Sequence, residues 1–74
     1  MKISVKGEFA FGLPLNFEEV EIDSPSFEAI MDHFQVDRKV RKHLLPLVND
    51  EVTNLDRTLE DGDMVILSSP YSGG

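Results

Sequence analysis

"LEDGDMVIL", Leu59–Leu67, decides how the chain is read. Asp61-Gly62 is a tight-turn pair, because glycine takes the backbone angles such a turn demands. Met64–Leu67 behind it is an unbroken apolar run, which reads as an interior strand covered on both faces. Alternation along the same run offers a second reading: Val65 and Leu67 point toward a covering helix, and Met64 and Ile66 point away from it. A one-residue slip swaps the faces, so from the sequence both readings stand.

Upstream, "LLPLV" (Leu44–Val48) reads as a strand. Pro46 cannot donate to a ladder, so this strand is expected to be at an edge or irregular. In the second reading Leu45 and Leu47 join Met64 and Ile66 on the outer face, an apolar patch of the kind where partners dock. Asn49-Asp50 is a turn pair able to take positive φ, and a short segment around Val52 follows. Phe27, Ile30, Met31 and Phe34 recur at i, i+3, i+4 and i+7, one face of a helix. Ser24 as N-cap with Pro25 at the first helical position starts it, with Ser26 as the competing cap. Val36 and Val40 suggest one further turn. Near the beginning, Ile3 and Val5 alternate with Lys2, Ser4 and Lys6 as a half-buried strand that Phe9 and Phe11 extend. After a turn at Gly12–Pro14, a second strand carries Leu15, Phe17, Val20 and Ile22. It slips register near Glu18, as a bulge would. The order strand, strand, helix, strand, short strand, strand describes an α+β domain, one mixed sheet with one main helix across one face. Residues 1–67 form the domain, and residues 68–74, "SSPYSGG", form an extended tail.

Bulk properties narrow the function. A 74-residue chain buries only about 60% of its unfolded surface, which leaves little room for a deep catalytic pocket. Function is therefore expected on a surface or at an end. Fourteen acidic residues against seven basic ones, a formal charge of −7, repel phosphate backbones and suit a basic protein partner; no nucleic acid is expected. The absence of cysteine removes disulfides, thiolate catalysis and thiolate metal sites. No apolar run approaches the roughly 20 residues that cross a membrane, and the start lacks the apolar stretch of a signal peptide, so a cytoplasmic protein is expected. His33 and His43 have no metal-ligand spacing. Glu18, Glu19 and Glu21 lie on a strand, without the cleft that paired-acid catalysis needs. Arg38, Lys39, Arg41 and Lys42 read as a solvated helix end whose cations meet the helix dipole, with steering of an acidic partner as the alternative.

The strand hairpin, the central helix, "VNDEV" (Val48–Val52), "LEDGD", "MVIL" and Gly73-Gly74 together resemble the ubiquitin-like β-grasp sulfur carriers. The resemblance covers nearly the whole chain and is most specific from Val48 to Gly74. Two branches are similar: the small subunit of molybdopterin synthase and the sulfur carrier of thiamine biosynthesis. Pro70 and the form of the tail lean to the first. Ser69 and Tyr71 depart from its Pro-Pro-Val-Xaa-Gly-Gly ending, and "KISVKGE" looks more like the second. Asn49-Asp50 stands where the family often has Asn-Gly.

The resemblance implies that Leu59 is core, that Gly62 makes the turn, and that Gly73 and Gly74 are the functional end. A ubiquitin-activating-type enzyme would spend ATP to adenylate the Gly74 carboxylate. A sulfurtransferase would supply sulfur, and the thiocarboxylate would donate it inside a larger synthase subunit. Leu45, Leu47, Met64, Ile66, Pro70 and Tyr71 would dock these partners. The chain itself would hold no cofactor or metal and act as a protein cosubstrate. The chemistry suits the residues. A carboxylate is a poor electrophile and must be activated, and residues 68–74 span at most about 25 Å when extended. Two glycines thread a narrow channel, and Pro70 prevents further strand pairing. Two other classes remain: a ubiquitin-like modifier joined to lysines through Gly74, and an interaction module whose end is inert.

Overall fold

Alternating apolar residues and two positive-φ turns build a single sheet. The computed structural model describes residues 1–10 and 12–69. Its elements are β1 (Lys2–Glu8), β2 (Glu18–Glu21), α1 (Phe27–His33), α2 (Arg38–Arg41), β3 (Leu45–Val48), β4 (Glu51–Val52) and β5 (Met64–Ser68). The strand order is β2-β1-β5-β3-β4. β1 and β5 run parallel, while every other neighbouring pair is antiparallel. The architecture is α+β, with a mixed five-stranded sheet and two short helices.

The first hairpin departs from expectation in three ways. β1 stops at Glu8, and Phe9 takes a φ of +57° and is 80% exposed, so it does not extend the strand. Phe11 lies outside the described residues. There is no bulge at Glu18: the register runs without a slip from Lys2↔Glu21 to Val5↔Glu18, and β2 begins there. Leu15 and Phe17 belong to the preceding loop and are exposed. That loop is tied down at Gly7, whose amide donates to the Pro14 carbonyl at 2.8 Å.

α1 is capped by Ser26, not Ser24. Ser26 has extended backbone angles, and its hydroxyl accepts from the Ala29 amide at 3.2 Å. Pro25 stays outside the helix because its carbonyl is taken by the Leu59 amide at 2.9 Å. Phe27, Ile30 and Met31 are buried. The expected further turn does not follow. Gln35 takes a φ of +55°, and the amides of Gln35 and Val36 close onto the carbonyls of Asp32 and Met31. That pair of bonds is a Schellman ending. α2 then starts afresh, with the Asp37 carboxylate accepting from the Lys39 amide at 2.9 Å.

β3 is not an edge strand, since it lies between β5 and β4. β4 pairs only with Leu47 and Val48. The Pro46 carbonyl accepts from Thr53, beyond the end of β4. The amide and carbonyl of a strand residue point the same way, so the donor that Pro46 lacks would face Thr53, just past the last paired residue of β4. Asn49 (φ +52°) and Asp50 (φ +69°) form a two-residue turn with both central φ positive, as type I′ requires. Gly62 (φ +89°) turns the chain into β5.

The core lies on one face of the sheet. Ile3, Val5, Val20, Val48, Val65 and Leu67 point inward and join Phe27, Ile30 and Met31 of α1, with Leu59 beside them. β5 is central yet covered on that face only. Val65 and Leu67 are inaccessible, Met64 is 44% exposed and Ile66 is half-buried. The reading of Met64–Leu67 as a strand covered on both faces is therefore corrected.

Candidate functional site

The uncovered face of the sheet and the end of β5 make up the candidate site. Strand register sets the residues of that face side by side. Lys6 pairs with Ile66, Ile66 with Leu47, and Leu47 with Val52, one row across β1, β5, β3 and β4. Leu45 lies opposite Ser68, and Met64 opposite Ser4. Leu45, Leu47, Met64 and Ile66 thus share one face, opposite the core. Leu45 and Met64 are exposed, and Leu47 and Ile66 are half-buried.

Two further residues belong to this surface and were not singled out from the sequence. Val52 is 77% exposed beside Leu47. The Asn49-Asp50 turn carried the signal for it, since a two-residue hairpin loop pairs the residues two before and two after it. Phe17 receives the Lys6 ammonium 5.8 Å from its ring centroid, a cation–π contact with no signature in residue spacing. Toward β2 the surface becomes charged: Lys6 pairs with Glu8 at 3.8 Å, and the terminal ammonium with Glu21 at 3.0 Å.

β5 runs through Ser68, and the Ser69 amide still donates to the Glu8 carbonyl at 3.1 Å. The central strand therefore leads directly to residue 70. Pro70, Tyr71, Gly73 and Gly74, on which the expected docking and acyl chemistry fall, lie outside the described residues.

The basic cluster divides. Arg38, Lys39 and Lys42 are exposed. Arg41 is not a solvated residue: its side chain is 12% exposed and is bonded on every side. Its Nε donates to the Val36 carbonyl at 2.8 Å, and its Nη1 donates to Asp32 at 2.7 Å and Glu28 at 2.9 Å. The guanidinium clamps α2 onto the Schellman turn. The Asp32 hydrogen bond raises its pKa further above its ordinary value. Desolvation opposes that rise, and the charges of Asp32 and Glu28 add to it.

A shallow cleft of about 420 Å³ opens between the end of β2 and α1, lined by Glu21, Asp23, Glu28, Asp32 and His33. Glu18 and Glu19 are not part of it. Glu21 is engaged by the terminal ammonium, and Glu28 and Asp32 by Arg41. Among the described residues no group of three or more His, Asp or Glu is arranged to hold a metal ion. His33 packs edge-on against Phe34, with ring centroids 4.8 Å apart. Among the described residues, too, no helix is long and apolar enough to cross a membrane.

Compared with protein-family models, with curated proteins and with solved structures, the chain shows no significant match.

Proposed function

We propose that this chain is a ubiquitin-like β-grasp sulfur carrier that presents Gly74 to partner enzymes. The observation that carries the reading is the position of β5. It is the central strand, held by parallel β1 and antiparallel β3, its Met64 and Ile66 lie on an apolar face that the core does not use, and residues 70–74 follow it in the sequence. A rigid base beside a docking face suits a protein whose end must enter another enzyme's active site.

The chemistry proceeds in balanced steps. A Gly74 carboxylate oxygen attacks the α-phosphorus of ATP in the adenylating enzyme and releases pyrophosphate. Hydrosulfide, released from a sulfurtransferase persulfide by a thiol reductant that is oxidised to its disulfide, attacks the acyl carbon. AMP leaves, a proton is released, and Gly74 carries a thiocarboxylate. Transfer of that sulfur to an acceptor in a larger synthase subunit, with hydrolysis, regenerates the carboxylate. The carrier contributes position and access. Leu45, Leu47, Met64 and Ile66 hold the partner, and Gly73 and Gly74 add no side-chain bulk in its channel. Pro70 favours the molybdopterin branch, while "KISVKGE" favours a carrier for thiamine biosynthesis as the second reading.

Intact mass tests the proposal. The chain is incubated with ATP, sulfide and a ubiquitin-activating-type adenylating enzyme, next to a copy lacking Gly74. A gain matching one oxygen replaced by sulfur, absent from the shortened copy, is expected. Leu45→Glu with Met64→Glu should slow adduct formation about tenfold, or about 1.4 kcal/mol, and leave the circular dichroism spectrum unchanged. No adduct with several competent adenylating enzymes would favour an inert end. Ladders of conjugates in lysate would favour a protein modifier.

A further inference from the structure

We propose that a second surface, the apolar groove beside the end of β5, docks a bulky apolar side chain flanked by carboxylates on a partner protein. The groove has a volume of about 280 Å³ and is lined by Phe9, Leu13, Val36, Val40, Leu44 and Ser69. Pockets for small ligands run from about 300 to 1,000 Å³, so this one has the scale of one or two side chains. None of the outer-face residues Leu45, Leu47, Met64 and Ile66 contributes to its lining.

Two features set the groove apart from an incidental dent. Phe9 stands on its wall with a φ of +57° and is 80% exposed. A positive φ is a genuine outlier for a bulky residue, and such strain collects where the chain has a use for it. Val40 lines the groove from α2 and is 44% exposed, although both its helical neighbours are cationic. Exposed apolar side chains around a concavity are the form a docking anchor requires.

Charge selects the occupant. The chain carries −7 overall, yet four of its seven basic residues lie within Arg38–Lys42, beside Val40. Arg41 is consumed by Glu28 and Asp32, and Arg38 lies 3.9 Å from Glu28. Lys39 and Lys42 are exposed and make no ion pair among the described residues. Of the nearby carboxylates, Glu8 faces Lys6, while Asp37 caps the Lys39 amide and keeps its charge, which offsets one of the exposed lysines. Four cations against Glu28, Asp32 and Asp37 leave the α2 side with an excess of one positive charge, in a protein of net charge −7 whose remaining surface repels acidic segments. An apolar anchor between carboxylates matches both parts of the site, with the rim charges raising the rate of encounter. This inference does not depend on what Gly74 carries, because a partner seated here grips the chain at Ser69 whatever its chemistry.

The test titrates the isotope-labelled full chain with the peptide acetyl-Asp-Glu-Asp-Phe-Leu-Asp-Glu-amide and follows backbone amide shifts. Saturable shifts at Phe9, Val40, Leu44 and Ser69 are expected, with Leu47 and Ile66 unmoved. Val40→Ser should weaken binding at least fivefold. Lys39→Glu with Lys42→Glu should weaken it more at low salt than at high salt. All three positions are exposed, and circular dichroism checks that the variants fold. Shifts centred on Leu47 and Ile66, the absence of a saturable shift, or equal binding of a peptide with lysine in place of each acid would overturn the proposal.

Discussion

Replacing Gly7 with alanine puts a methyl group in the path of Leu13. A Cβ built at Gly7 stands 2.5 Å from the Leu13 Cβ, with Cδ1 at 3.3 Å and Cγ at 3.4 Å. The nearest atom is attached to the backbone and cannot swing aside, so β1 or the loop must move. The Gly7 amide donates to Pro14 at 2.8 Å, and that movement strains the bond as well. Overpacking costs about 1–3 kcal/mol, while the stiffer unfolded chain returns about 0.4–1 kcal/mol. The net loss is about 1–2 kcal/mol, against a total stability of about 4–11 kcal/mol for a chain of this length. At about 4–8 °C per kcal/mol, Tm should fall by about 4–16 °C. Urea unfolding followed by circular dichroism measures the same loss.

The Leu13 variants locate the cause. Leu13→Gly removes the obstructing Cβ, whereas Leu13→Ala keeps it. The Gly7→Ala penalty should therefore vanish in the first background and persist in the second, with sulfate added to keep the weaker variants folded. A midpoint for Gly7→Ala at or above that of the parent chain, or the same penalty in both backgrounds, would refute the reasoning.

Ser26→Ala should cost about 1 kcal/mol through the lost cap, while Ser24→Ala stays within about 0.5 kcal/mol; the reverse order in urea unfolding would restore Ser24 as the cap. Asp63 is buried and accepts from Asn49 Nδ2 at 3.0 Å and the Glu60 amide at 2.8 Å. Asp63→Asn forces a donor against one of them and should cost about 1–3 kcal/mol in thermal unfolding; an unchanged Tm would show that the pair carries no stability. Arg41→Met should speed hydrogen exchange in α2 while β1 and β5 keep their protection, and Arg38→Ala should change neither. The guanidinium pKa is raised, so the clamp is fully present below the ordinary arginine value and is lost only as pH rises through the raised one. Exchange protection in α2, corrected for intrinsic rates, should therefore show no loss from deprotonation of Arg41 between pH 7 and about pH 10.

Features set by neighbouring residues were legible in the chain. Asn49-Asp50 and Asp61-Gly62 turn as their chemistry requires, and Phe27, Ile30 and Met31 bury together because helical spacing leaves them on one side. The sharing of one face by Leu45, Leu47, Met64 and Ile66 followed from alternation once a helix was placed on the other side. Features set by distant residues were hidden. Ser24-Pro25 satisfies the local rules for a helix start, but Leu59, far along the chain, claims the Pro25 carbonyl. Arg41 looks like any surface cation until α2 is folded against Glu28 and Asp32. Pro46 reads as an edge residue because strand order is not a local property. Leu15 and Phe17 have the composition of a strand and lie in a loop, since no partner strand extends to them.

The parallel pairing of β1 with β5 has a mechanical consequence. A pull on Ser69 against an anchored Met1 draws the two strands past each other along their length. Five paired positions, from Ser4↔Met64 to Glu8↔Ser68, then share the load at once. A hairpin pulled from its open end would instead give way one bond at a time, like a zip. With Met1 held, tension entering at the last strand is thus borne by a sheared seam and not by an unzipping one, and the strand that carries the end is paired on both sides.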